Sequence, residues 1–172
     1  MKLYIARHGE TDMNVAKIPQ GWIDTELNSN GIQQAIEMAE HFSIPLDAIF
    51  TSDLKRTTRT AQEFRQKYKD IPYFEDARLR VRDFGDAAGE DRSTYDLEKF
   101  WSVPDVQTIP HSETLKDFKA RIADFLMGLK AESYQSVLIV THGNVMNEIQ
   151  TIIDPDFESR PRDNNEIAEV NV

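Results

Sequence analysis

The chain has 172 residues, 40% hydrophobic and 29% charged, without cysteine and with a formal net charge of −10 at pH 7. That length and mixture exclude a disordered chain and suit one buried core, so a single domain over 1–172 is expected. The lack of cysteine excludes a disulfide scaffold, a thiolate zinc site and a cysteine nucleophile, and the acidic balance disfavours nucleic acid and anionic membrane as partners.

Met1 to Ala6 is a short apolar run that ends at Arg7-His8. It is too short for a signal peptide or a membrane span, and reads as a strand of a cytoplasmic protein. After Asn28-Ser29, which can cap a helix, Ile32, Ala35, Ile36, Ala39 and Phe42 recur at helical spacing. Asp47 to Phe50 forms a second strand, Ser52 caps a helix from Asp53 to about Tyr68, and Tyr73-Phe74 starts a further strand. A helix follows from about Leu115 through Phe118, Ile122, Phe125, Leu126 and Leu129. Val137-Leu138-Ile139-Val140 suits a strand buried on both faces, and Gly143 opens a helix carrying Val145, Ile149 and Ile152. Asp154 to Asn165 is polar and holds two prolines, as a surface connection would, before an edge strand at Ile167 to Val172. Alternating strands and helices predict an α/β fold, a three-layer α/β/α sandwich with a mostly parallel central sheet.

Two histidines stand in matching places: Arg7-His8-Gly9 follows the first strand and Thr141-His142-Gly143 follows the most apolar one. Ligands of open α/β sheets bind beyond the carboxyl ends of the strands, so both can face one pocket. Arg-His-Gly alone is a weak signal, expected in on the order of one chain of this length in a hundred. It is accompanied in order by Glu10-Thr11 with Asn14, by Gln20-Gly21-Trp22-Ile23-Asp24 with Leu27 and Gly31, by Ile49 to Arg56 with Thr60-Ala61, and by Leu138 to Gly143. As a set these motifs resemble the histidine phosphatase superfamily, the phosphoglycerate-mutase-like proteins, over Leu3 to about Val145.

The resemblance implies a metal-independent phosphatase without a cofactor, acting on a small phosphorylated substrate. It implies that His8 is the nucleophile, that Arg7 and Arg56 hold the phosphoryl group, and that His142 and Asn14 donate to it. Gln20, Gly21 and Gly143 fall in matching segments and are expected to line the same site. The chemistry suits those residue types: a neutral imidazole attacks phosphorus and leaves readily, and neighbouring guanidinium groups keep it unprotonated while gripping phosphoryl oxygens at two points. Glu10 and Thr11 are read as structural, His41 as exposed, and His111 as a surface-loop residue. No His-x-His or His-Glu-x-x-His spacing supports a metal site.

One departure stands out. Relatives resemble Leu-x-Glu-x-x-Phe-Gly, with Glu as the acid for the leaving group; here Leu79-Arg80-Val81-Arg82-Asp83-Phe84-Gly85 puts Val81 at its place. If this stretch is extended, Leu79, Val81 and Asp83 share one side and Arg78, Arg80 and Arg82 the other. Asp83 is then the candidate acid, its alternative being a turn residue before Phe84-Gly85. Three readings remain: a phosphomonoesterase, a phosphatase of phosphohistidine or acyl phosphates whose leaving group needs no acid, and a weakly catalytic phosphate-binding regulator. Mutase activity is disfavoured because the chain is short between its third and last motifs. The substrate and the oligomeric state are left open.

Overall fold

The computed structural model describes residues 1–172. In chain order it contains β1 (Lys2–Arg7), α1 (Asp12–Val15), α2 (Ser29–His41), β2 (Ala48–Thr51), α3 (Lys55–Lys67), β3 (Tyr73–Glu75), α4 (Leu97–Ser102), α5 (Leu115–Lys130), β4 (Ser136–Thr141), α6 (Gly143–Ile153) and β5 (Ile167–Asn171). Single 3₁₀ turns at Ala77–Leu79 and Gly85–Ala87 lie between β3 and α4. The sheet order is β3-β2-β4-β1-β5, and only the β1–β5 pairing is antiparallel.

The period of two along β1 and β4 explains the layers. Leu3, Ile5, Val137 and Ile139 pack to one side with Phe118, Ile122 and Phe125 of α5 and Val145, Met146 and Ile149 of α6. Tyr4, Ala6, Leu138 and Val140 pack to the other side with Met38 and Ala39 of α2 and Ala61 and Phe64 of α3. Because both faces are covered, the strands read as unbroken apolar runs rather than alternating ones. The expected three-layer α/β/α architecture is the one observed. No helix is long and apolar enough to cross a membrane.

Three local expectations change. The third helix starts at Lys55 with Leu54 at its cap position and no side-chain cap, so Ser52 does not cap it. The stretch after β3 is not a strand: it makes a 3₁₀ turn and then runs irregularly, and Arg82 is fully buried instead of sharing a side with the partly exposed Arg78 and Arg80. Arg82 stacks 3.6 Å from the Phe100 ring centroid and donates from Nε to the Glu113 carbonyl at 2.9 Å, contacts from segments far along the chain that no local pattern announces. Arg121 fastens the same stretch by donating to the carbonyls of Arg78, Arg80 and Val81.

Candidate active site

The register of the central strands brings the two histidines together. Arg7 pairs with Thr141 across the parallel β1–β4 ladder, so His8 and His142 each stand one residue beyond paired positions on neighbouring strands. Their rings lie 5.2 Å apart, edge to face. Ser52 leaves the next strand, β2, at the same level: its N–H donates to the Val140 carbonyl at 3.1 Å and its Oγ lies 3.0 Å from His142 Nε2. The two residues are 90 positions apart in the chain, and sheet order brings them together.

Each ring is fixed through one nitrogen. His8 Nδ1 is 2.7 Å from the Gly9 carbonyl, an oxygen that can only accept, so Nδ1 carries the proton and the neutral ring keeps its lone pair on Nε2. The Gly9 N–H donates to Thr60 Oγ1 at 3.0 Å, and Thr60 Oγ1 donates to the Arg56 carbonyl at 2.8 Å, which ties the His8 loop to α3. A side chain is not tolerated at Gly9: its Cβ would fall 2.2 Å from the Gly31 carbonyl oxygen, where α2 begins.

Both rings are buried, His8 and His142 each being 3% exposed. Burial first, and then the charges of Arg56 and Arg7, push His8 well below the usual histidine value of 6.5. Burial, Arg56, His8 and Arg7 do the same to His142. Both are therefore neutral at neutral pH. Arg56, 1% exposed, is lowered to about 10 chiefly by burial and stays cationic. It donates to the carbonyls of Gly21 and Ile23, each at 2.9 Å, while Arg7 donates to the Arg162 carbonyl. Three buried polar atoms here have no partner within the protein: Arg7 Nε, Arg56 Nε and His142 Nδ1.

Asn14 completes the arrangement from α1. Thr11 caps that helix in a capping box with Asn14, and Asn14 Oδ1 accepts from the Thr11 N–H at 3.1 Å and from Asn164 Nδ2 at 3.2 Å. The Asn14 amide hydrogens are thus left for the cavity. Gln20 Oε1 is likewise occupied, by the hydroxyls of Thr11 and Thr25. Gly143 is the first residue of α6, whose N-terminus has no side-chain cap, so its first N–H groups are open to an anion. Arg7, His8, Asn14, Gln20, Gly21, Arg56, His142 and Gly143 all border one cavity of about 560 Å³.

Asp83, the candidate acid, is elsewhere. Its Oδ1 accepts the Gly85 N–H at 3.0 Å and it is absent from the cavity wall, which Val81 and Phe84 reach instead. Gly85 has φ +54°, and a Cβ there would lie 2.3 Å from the Pro110 carbonyl oxygen, so Asp83 is spent on holding a tight turn. No aspartate or glutamate lines the cavity at all. His111 is exposed beside Asp86, and His41 is exposed on α2. Glu10 accepts from Asn28 and Asn30, a structural role as expected.

The sequence reading missed one wall. The segment between α6 and β5 folds back over the site: Asn164 Nδ2 donates to the His8 carbonyl at 3.1 Å, and Arg160 and Arg162 border the cavity. Lys17, Arg92 and Trp101 were also missed. The one available signal was Arg160-Pro161-Arg162, a basic pair in an otherwise acidic chain.

The chain is similar to known proteins in sequence and in fold. The family model of the histidine phosphatase superfamily (branch 1) matches residues 3–165. The chain is 37% identical over 164 residues to "Uncharacterized phosphatase PhoE" of Bacillus subtilis (strain 168), covering 90% of this chain and 80% of that protein. It is 29% identical over 168 residues to a 2,3-bisphosphoglycerate-dependent phosphoglycerate mutase of Methylobacterium sp. (strain 4-46), covering 88% and 80%. Among solved structures, Bacillus stearothermophilus YhfR superimposes with a TM-score of 0.85 at 28% identity, covering 99% of this chain and 91% of that one. With its motifs in order, its histidines on adjacent strand ends and a family model spanning nearly all of it, the chain belongs to the histidine phosphatase superfamily, branch 1.

Proposed function

We propose that the protein is a phosphomonoesterase that hydrolyses a small phosphorylated substrate through a phosphohistidine on His8. The observation that carries this reading is the His8 Nδ1–Gly9 carbonyl bond, which leaves Nε2 as the nucleophile in a cavity bordered by Arg7 and Arg56, each with an unpartnered Nε. Nε2 attacks phosphorus as the bond to the leaving oxygen breaks. Water then attacks the phosphohistidine, the N–P bond breaks, and inorganic phosphate departs with His8 restored. Arg7, Arg56, Asn14 and His142 Nδ1–H hold the equatorial oxygens throughout, which is most of what phosphoryl transfer asks of a protein. No metal enters the scheme, and the protein has no cluster of three His, Asp or Glu side chains suited to one.

The carboxylate-free wall favours a second reading within the same chemistry. An alkoxide leaving group needs a proton in the transition state, worth about a hundredfold to ten-thousandfold in rate. An acyl phosphate does not, because it leaves as a stable carboxylate, nor does a phosphohistidine already protonated on its free ring nitrogen, because it leaves as neutral imidazole. With Val81 in place of the acid and Asp83 held in a turn, substrates of that kind ask for nothing that the wall lacks.

The test is to mix the protein with 4-nitrophenyl phosphate, quench in base and assay for acid-labile phosphate on His8. Labelled wild-type protein and unlabelled His8→Asn are expected, with turnover of the nitrophenyl ester at least about a hundredfold above that of an alkyl phosphate. Phosphate binding with no label under any condition would turn the conclusion to a regulatory binder. A loss confined to alkyl phosphates in Asp83→Asn would restore Asp83 as the acid.

A further inference from the structure

The cavity changes character from floor to mouth. His8, Arg56 and His142 form its buried floor, Phe84, Leu97 and Trp101 give it an apolar side, and Lys17, Arg92 and Arg160 are exposed at its rim. At about 560 Å³ it is of the size that takes a whole small organic molecule.

Its charge is one-sided. All six ionised side chains on the wall, those of Arg7, Lys17, Arg56, Arg92, Arg160 and Arg162, are cationic, in a protein with 30 acidic residues against 20 basic ones. Four have work assigned: Arg7 and Arg56 serve the floor, while Arg160 and Arg162 are both paired with Glu166. Lys17 and Arg92 have no ion pair and no side-chain hydrogen bond in this structure. They belong to two segments joined at one side of the mouth, where the Gly89 N–H donates to the Pro19 carbonyl at 2.8 Å. Lys17 also adopts φ 57°, a left-handed conformation that disfavours residues with a side chain and gathers at ligand-holding positions.

We infer that the natural substrate carries a second anionic group, which Lys17 and Arg92 bind at the mouth, separated from the phosphoryl group by an apolar or planar spacer lying against Phe84, Leu97 and Trp101. This rests on the phosphatase reading for the floor of the site, but the mouth makes its own prediction. A general attraction for anions would favour every phosphate ester alike. A distal subsite favours only those that carry the second charge at the right reach.

Two substrates separate the cases: 4-propylphenyl phosphate, and its analogue whose propyl chain ends in a carboxylate. Wild-type protein is expected to prefer the carboxylate by about tenfold in kcat/KM, mainly through KM, with the preference shrinking as salt is added. In the double variant Lys17→Met, Arg92→Met the ratio is expected to fall within about twofold of one. A wild-type ratio near one, or equal losses on both substrates in the variant, overturns the proposal. The corresponding phosphonates, which cannot be hydrolysed, are titrated by calorimetry in parallel. Tighter binding of the carboxylated phosphonate without any turnover supports the subsite while sinking the phosphatase reading; equal binding of the two phosphonates sinks the subsite whatever the turnover.

Discussion

His142 shows how a single buried contact decides chemistry at the residue scale. Its ring is neutral, so one nitrogen carries a proton and the other does not. If Nε2 were protonated it would donate to Ser52 Oγ, stranding the buried hydroxyl hydrogen and turning a bare lone pair on Nδ1 toward a phosphoryl oxygen. If the Ser52 hydroxyl donates to Nε2, both groups are satisfied and Nδ1–H is left without a partner in the protein, free for the role proposed for it. The 3.0 Å contact therefore makes Ser52 the residue that sets the tautomer of His142. Ser52→Ala is expected to lower turnover by about twofold to tenfold, the worth of one hydrogen bond, with partial rescue by Thr. Nitrogen-15 NMR of labelled histidine supplies the decisive readout: protonation of His142 on Nδ1 in the native protein, and a shift toward Nε2 in the variant. An unchanged tautomer would reduce Ser52 to a packing residue.

At the scale of elements, the site depends on how closely α2 approaches the loop after β1. Gly9 and Gly31 face each other there: a Cβ on Gly31 would lie 2.0 Å from the Glu10 carbonyl oxygen, a backbone atom that cannot swing aside. Asn28 caps α2 by accepting the Gly31 N–H at 2.8 Å, and its N–H donates to the same Glu10 carbonyl, so the helix start and the loop after β1 are one unit. Gly31→Ala is expected to cost about 1–3 kcal/mol in denaturant unfolding and to reduce turnover through displacement of His8. Stability lost with kinetics intact would show that the loop yields without moving the nucleophile. The order of consequence is legible in the sequence only as two isolated glycines.

At the scale of the molecule, the pH dependence of folding follows from the buried histidines. Unfolded, each titrates near 6.5; folded, each titrates well below that value. Between the two the unfolded chain binds more protons, so stability is greatest above about pH 6.5 and falls with acid until the folded pKa is reached. The slope is at most about 1.4 kcal/mol per pH unit for each histidine. Asp76 and Glu166 are lowered from 3.8 and 4.5, so their contributions are lost only at lower pH, while Glu148, raised from 4.5 chiefly by burial, opposes the two histidines as the pH falls from about 6.5 to 5. Urea unfolding of wild type should weaken across that range, and His8→Asn with His142→Gln should flatten the profile. An unchanged slope in the double variant would place the acid sensitivity elsewhere.

Strands, helix faces and the motif histidines were legible in the sequence because each is written in a short window: Leu3 to Ala6 and Val137 to Val140 as apolar runs, α5 as a period of three and four, and Arg7-His8-Gly9 as adjacent residues. Fold class follows from such windows, and the motifs that carry the family resemblance are written in them. The roles of Ser52, Asp83, Arg82 and Asn164 do not. Ser52 meets His142 across 90 positions, and Asn164 meets His8 across 156. Asp83 was assigned a face by assuming strand alternation, whereas a tight turn at Gly85 consumed its carboxylate. The sequence by itself determined the layers and the family, since periodicity and a set of ordered motifs encode them. Only the tertiary structure decided which side chains surround the substrate, because that depends on sheet order, helix approach and a returning loop, none of which a local window contains.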